Sequence, residues 1–487
     1  MALVMNEELL GKCGCAYCGN HIEFPVEAGG TRIECPHCGK PTELNLLAPP
    51  VPEGGKLSAA HVVAAFGGPV PRTRVSLFYR LGLVLVTVMM VLLPLAYLAL
   101  IAAAAWGVYA YATHFTFLLH LTRGPVYFYL GKVLLYFAPL FGGAVLLFFL
   151  VKPLFARRAP HAQPLAMNPA LEPTLYAFIA RICDLVGAPM PRRIDLVCDL
   201  NASAGFRRGA SSLLGDDLVL TIGLPLVAGL NLQQFAGVIA HEFGHLAQGF
   251  GMRLSYIIRS INGWFMHLVY QRDACDLWLE ENGMEAEDAG SLILVNCARL
   301  AIGCSRLLLK LLMLLGHGAS CFLLRQMEYD ADSSAIKVAG SSAVEAATRR
   351  VAELGEAMGR SYKEMRTTWN LSRRLPEDFP AYLVAQHAKL PAGFCQRRQD
   401  TLGLARTGLF DTHPSDGDRI RRARQTDDPG VFQLDLPASV LFSRFDIVSK
   451  QVTHLHYTED LGLFFDASNL RPVEGGGRTA TGDDGPS

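Results

Sequence analysis

Residues 231–249 read NLQQFAGVIAHEFGHLAQG, and the rest of the chain is best understood outward from them. Phe235, Val238, Ile239 and Leu246 recur at helical spacing. Asn231 is a good N-cap, Gln234 three residues on completes a capping box, and Gly249 is a stop signal. On this predicted helix His241 and His245 are four residues apart, so both imidazoles project from one face and can reach a single ion. Neutral imidazole suits Zn²⁺ in a tetrahedral site. Glu242 lies beside them, placed to take a proton from an activated water and pass it to a leaving amine. A hydrolytic zinc wants a third protein ligand and one open position. The stretch EYDAD at 328–332 offers it. Glu328 and Asp332 share a helix face; the first can ligate the ion and the second can accept the remaining N–H of a ligand histidine. Taken alone, such an acidic pair is usually a solvated helix face.

The composition places this site in an apolar chain. Of 487 residues 51% are hydrophobic and only 18% charged, which points to membrane segments. Formal net charge is zero, so bulk electrostatics gives no reason to expect a nucleic-acid partner. The first residues lack the basic start, apolar stretch and cleavage site of a signal peptide. Residues 81–113 contain no charge, and a second apolar run covers 126–151, interrupted only by Lys132. Each is long enough to cross a bilayer, with Pro94 as a kink site in the first. Arg72, Arg74 and Arg80 precede the pair, and Lys152, Arg157 and Arg158 follow it. Positive flanks stay in the cytoplasm, so both ends of the hairpin are expected there.

Five of the twelve cysteines fall before residue 40. Cys15-Ala-Tyr-Cys18-Gly and Cys35-Pro-His-Cys38-Gly form two CxxC knuckles at zinc-ribbon spacing, and four thiolates make a closed, structural site. Cys13 is a spare. Reduced thiols favour a cytosolic N-terminus. The other seven cysteines are scattered and read as small buried hydrophobes.

The expected organisation is a zinc ribbon (1–45), a flexible linker rich in Pro, Gly and Ala (46–76), two transmembrane helices (77–152), a metal-site domain (153–470) and a disordered tail (471–487). The fold class is mainly α with a small β-sheet. Strands are expected in RRIDLVCDL and DDLVLTIGLP, with the polar NASAGFRRGASS between them as a turn or loop. The apolar segments at about 253–270 and 292–325 contain Arg259, Arg299, Arg306 and Lys310. They are either imperfect spans or amphipathic helices at the interface. Glu328 must reach the ion held by His241, so the intervening chain crosses the bilayer twice or not at all.

HEFGH followed about 80 residues later by ExxxD resembles the integral-membrane gluzincin peptidases, the HtpX heat-shock and CAAX prenyl protease family. The resemblance spans roughly 75–430 and includes Asn201-Ala202, GLP at 223–225, RQMEYDADSSA at 325–335 and the late Thr412-His413-Pro414. It implies a zinc metalloendopeptidase in which His241, His245 and Glu328 bind zinc, Glu242 is the general base and Asp332 supports a ligand. It also implies that Asn201 and Ala202 belong to a substrate-contacting edge strand, and that His413 and Arg419 form a late element near the site, with His413 stabilising an oxyanion. His413 reads equally as a polar residue starting a helix. The cofactors expected are two Zn²⁺, one catalytic and one structural. The expected partners are protein or peptide substrates and the lipid bilayer, with the ribbon's partner open. Membrane-protein quality control is the favoured role. The alternatives are CAAX-type processing, and a scaffold or sensor that recruits partners through the ribbon.

Overall fold

The computed structural model describes residues 10–14, 21–25, 31–43, 57–68, 77–119, 126–155, 164–207, 217–270 and 289–473. The fold is mostly helical with small sheets. Two antiparallel hairpins come first: β1 (Leu10–Gly14) with β2 (His21–Pro25), and β3 (Arg32–Glu34) with β4 (Pro41–Glu43). Between β3 and β4 lies the second CxxC turn. The His37 N–H points at Cys35 Sγ, 3.4 Å away, and Gly39 takes φ +71°, a value that favours glycine. Cys15 and Cys18 lie outside the described residues.

Part of the stretch expected to be a flexible linker is instead built into the core. Residues 57–68 carry α1 (Ala59–Ala64), N-capped by Ser58. Leu57, Val62, Ala65 and Phe66 are buried, and the Phe66 ring lies 4.3 Å from Phe432. The Pro/Gly content concealed one apolar patch that finds its partners only in the folded chain.

Among the described residues, three helices are long and apolar enough to cross a membrane, within Tyr79–His114, Val126–Phe155 and Val295–Ala339. They belong to α2 (Leu77–His114), which continues through Pro94, and α3 (Val126–Val151). The third belongs to a much longer helix described below. Tyr97 Oη donates to Leu150 O at 2.7 Å and Tyr136 Oη to Ala112 O at 2.7 Å, tying α2 to α3.

After β5 (Leu165–Ala166) and α4 (Pro173–Val186) come β6 (Arg193–Val197), β7 (Ala202–Phe206) and β8 (Leu218–Gly223). They form one sheet in the order β5-β6-β8-β7, with β6 and β8 parallel and β7 antiparallel on the edge. The reading of NASAGFRRGASS as a loop therefore fails for 202–206. Its short side chains give a weak strand signal, and the backbone ladder to β8 supplies what propensity does not.

A short α5 (Leu224–Gly229) leads into α6 (Leu232–Ala247). The Asn231 side chain accepts the Gln234 N–H at 2.8 Å, while Gln234 Oε1 accepts the Asn231 N–H at 3.2 Å. Such a cap contributes about 1 kcal/mol. Leu232, Phe235, Ile239, Phe243 and Leu246 are buried on its inner face, and the Phe178 ring of α4 stacks on Phe235. Gly249, with φ +57°, ends the helix.

The two ambiguous apolar segments are both helical. They are α7 (Phe250–Tyr270) and α8 (Ala289–Ala339), a single helix of 51 residues. Phe265 and Leu268 of α7 bury against Leu309 and Met313 of α8 and Tyr97 of α2. The remainder is α9 (Ser341–Ser372), α10 (Phe379–Ala388), α11 (Ala392–Leu404), α12 (Asp416–Thr426) and α13 (Phe445–Leu455). Leu470–Arg471 pairs in parallel with Leu375–Pro376, so the body of the domain extends to the start of the expected tail.

Candidate metal centre

The centre forms where α6 packs on α8. Gly244 makes the approach possible: a Cβ there would stand 2.9 Å from Ala331 Cα and 3.1 Å from Ser334 Cβ. Gly237, two turns earlier, would meet Ala339 Cβ at 3.1 Å. This bare stripe lets the backbones close in and presents Glu328 and Asp332 to the outer face of α6.

Donor atoms of His241, His245 and Glu328 all lie within 4.8 Å of one another. His241 Nε2 is 3.3 Å from Glu328 Oε2, and His245 Nε2 is 3.6 Å from Glu328 Oε1. Donors around a tetrahedral zinc with bonds of 2.0–2.2 Å stand about 3.3–3.6 Å apart. The spacing, and the two-imidazole, one-carboxylate donor set, therefore fit that ion. The two rings stand nearly perpendicular, at 88°.

Around them is a polar shell. Asp332 Oδ1 is 3.0 Å from His241 Nδ1, which leaves Nε2 for the ion. Arg419 of α12 donates to the same carboxylate, with Nη2 at 2.6 Å. Nδ1 of His245 is buried and has no hydrogen-bond partner among the described residues, so of the two imidazoles it is His241 whose orientation is enforced. We expect Asp332→Asn to weaken zinc binding by about 10–100-fold. A competitive chelator titration checks this, and unchanged affinity would deny Asp332 that role.

Ionisation follows the same geometry. Burial opposes charge on His241, but hydrogen bonds to Asp332 and Glu328 outweigh it and raise its pKa to about 9. Burial and the neighbouring His241 push His245 down to about 3. Burial raises the Glu242 carboxyl, opposed by His241, and the backbone of Ala204 in β7 holds it.

A cavity of about 540 Å³ opens over these residues. The edge strand β7 forms one wall, so Asn201 and Ala202 lie on it, and Val344, Ala347 and Val351 of α9 form an apolar wall. His413 also lines it, with Nδ1 3.1 Å from Glu328 Oε1. One participant escaped the sequence reading. Arg259 of α7 places Nη2 2.7 Å from Glu328 Oε1. Its signal was present as a charge inside an otherwise apolar helix, which is costly unless used.

An HExxH helix joined to a glutamate and aspartate on a second helix, beside an edge strand, defines a metallopeptidase of the gluzincin kind. The family model described as Peptidase family M48 matches residues 169–427, just over half of the chain, and the chain belongs to that family. Comparison with curated proteins and with solved structures returned no match. The matched region holds α6, the whole of the ExxxD segment and His413, in line with the resemblance to the HtpX and CAAX proteases.

Proposed function

We propose that this metallopeptidase is a zinc-dependent endopeptidase embedded in a membrane, cutting membrane or membrane-adjacent proteins in a quality-control role. One observation carries the reading: the helix that presents Glu328 to the two histidines is continuous with a segment apolar enough to span a bilayer. The site thus stands within a few helical turns of the membrane surface.

His241, His245 and Glu328 would hold the zinc. When bound, it supplies Lewis acidity, polarising the scissile carbonyl and lowering the pKa of water towards neutrality. The rest belongs to the chain. Asp332 holds the His241 Nδ1 proton and so fixes the ring. Glu242 takes the proton from the attacking water and delivers it to the leaving amine. His413 donates to the oxygen that gains charge. An extended substrate pairs along β7 near Asn201 and Ala202, as peptides do on exposed sheet edges.

Topology follows from the same pairing. His241 precedes α7 and Glu328 lies late in α8, so both helices cross or neither does. Packing of α7 among α2 and α8 supports a four-helix membrane unit. The basic flanks of α2 and α3 support a cytoplasmic N-terminus and catalytic domain. In the ribbon, Cys15, Cys18, Cys35 and Cys38 would hold a second, structural zinc, a role supported by the Cys35 turn geometry.

The test is metal removal and return. Purified full-length protein should cleave unfolded casein, lose that activity to a chelator, and regain it with about one zinc per chain at the open site. Activity indifferent to chelation would end the zinc reading.

A further inference from the structure

The loop between α11 and α12 contributes His413, yet the residues just before it are not built like a water-exposed loop. Leu409 is 77% exposed and Phe410 is 62% exposed. Behind these side chains, four successive carbonyls are taken by side chains of α8. Arg325 Nη1 donates to the carbonyl oxygens of Gly408, Leu409 and Asp411 at 2.9, 2.8 and 3.0 Å. Phe410 O lies 2.7 Å from His317 Nε2 and accepts the Cys321 thiol at 3.2 Å. The Gly408 N–H is satisfied as well, by Asp411 Oδ2 at 2.6 Å. A loop in water has no need to turn four successive carbonyls inward. Irregular backbone at membrane depth must do so.

The height of the contact agrees. His317 and Cys321 precede Glu328 by eleven and seven residues, which puts them roughly 10–16 Å along the helix towards the apolar segment. That part of α8 lies beside the first half of α2: Gly316 faces Leu93 and Met90, and Gly82 faces Leu323. The outer surface there is apolar, with Leu81, Leu85 and Val88 on α2 and Phe322 on α8 all exposed. Leu409 and Phe410 are exposed too, and the Phe410 ring stands 3.5 Å from where a Cβ would lie on Gly318 of α8.

We propose that Leu409 and Phe410 insert into the bilayer surface, and that the lipid contact sets the position of His413. The loop is pinned at its far end too. Thr407 N–H donates to Asp418 Oδ2 at 2.8 Å, on the same helix as Arg419, whose guanidinium holds Asp332. Bilayer contact, loop and metal centre are one connected unit, so the peptidase would read whether it sits in a membrane. The inference rests on the membrane-embedded peptidase reading, and its two readouts separate it from that reading.

First, a benzophenone amino acid is placed singly at Phe410, Phe322 or Phe464 in full-length protein in vesicles of phosphatidylcholine and phosphatidylglycerol. After irradiation, adducts are identified by mass spectrometry. Lipid adducts are expected at 410 and 322, and none at 464, which is exposed and follows α13, between residues Leu463 and Phe465 that pack on the domain core. An adduct at 322 without one at 410, or a protein adduct alone at 410, overturns the proposal and leaves the membrane reading intact. No lipid adduct at either 322 or 410 overturns both. Second, the Leu409→Asp/Phe410→Asp double variant is assayed on a short soluble peptide in vesicles. We expect kcat to fall by about one to two orders of magnitude, the scale for a small misplacement beside the reacting atoms, with KM little changed and zinc retained. Unchanged kcat in vesicles would show that the loop does not position His413.

Discussion

Glu242→Gln is expected to lower peptide hydrolysis by about 10²–10⁴-fold, the contribution of a well-placed general base, while leaving zinc content unchanged. The substitution keeps the shape of the side chain and removes only its ability to accept and return a proton. Glu242 is not among the three donors that close on one point; those are His241, His245 and Glu328. Zinc should therefore stay, bound as before by the three donors. Burial raises the Glu242 carboxyl, which makes its anion a stronger base than an exposed glutamate. The backbone of Ala204 ties it to the strand expected to receive substrate. Casein cleavage and metal content, measured on the same preparation, check the result. Retained hydrolysis would move the base elsewhere. Lost hydrolysis with lost zinc would show that Glu242 supports the metal site rather than the proton transfer.

What made this site readable from the sequence was locality. The start, stop, apolar face and ligand face of α6 all lie within nineteen residues, and each rests on helical spacing or capping chemistry. The ExxxD pair is equally local, and only its meeting with α6 is not. That meeting depends on Gly237 and Gly244, whose role is invisible until the partner helix is in place. The same limit explains the misses. Strand β7 exists because β8 lies beside it, not because Ala-Ser-Ala-Gly-Phe favours extension. Phe66 reads as a stray aromatic in a linker until Phe178 and Phe432 surround it. Arg259 reads as a flaw in a span until Glu328 stands opposite. The carbonyls of 408–411 have no sequence signature, because their donors come from one helix more than 80 residues away.

Gly244→Ala should abolish activity and empty the catalytic zinc site, although it adds a single methyl group and lies outside the donor set. Alanine ordinarily favours a helix over glycine by about 1 kcal/mol. Here the added Cβ would stand 2.9 Å from the Ala331 backbone, and a backbone atom cannot rotate away. Either α6 or α8 must shift, at a cost of roughly 1–3 kcal/mol for overpacking. Ala331 lies between Glu328 and Asp332, so the shift draws the carboxylates away from the histidines. Ligand spacings of 3.3 and 3.6 Å leave little room for that. Gly359→Ala is the control. It places the same methyl on the exposed face of α9 with nothing within 4 Å, and should stabilise the protein by a few tenths to about 1 kcal/mol. Thermal unfolding, zinc per chain and casein cleavage distinguish the two. If Gly244→Ala keeps its catalytic zinc and its activity while Gly359→Ala behaves as expected, the packing of α6 on α8 does not set the metal geometry. If Gly244→Ala loses zinc and Gly359→Ala does not, a glycine with no chemistry of its own is what holds the two halves of the site together.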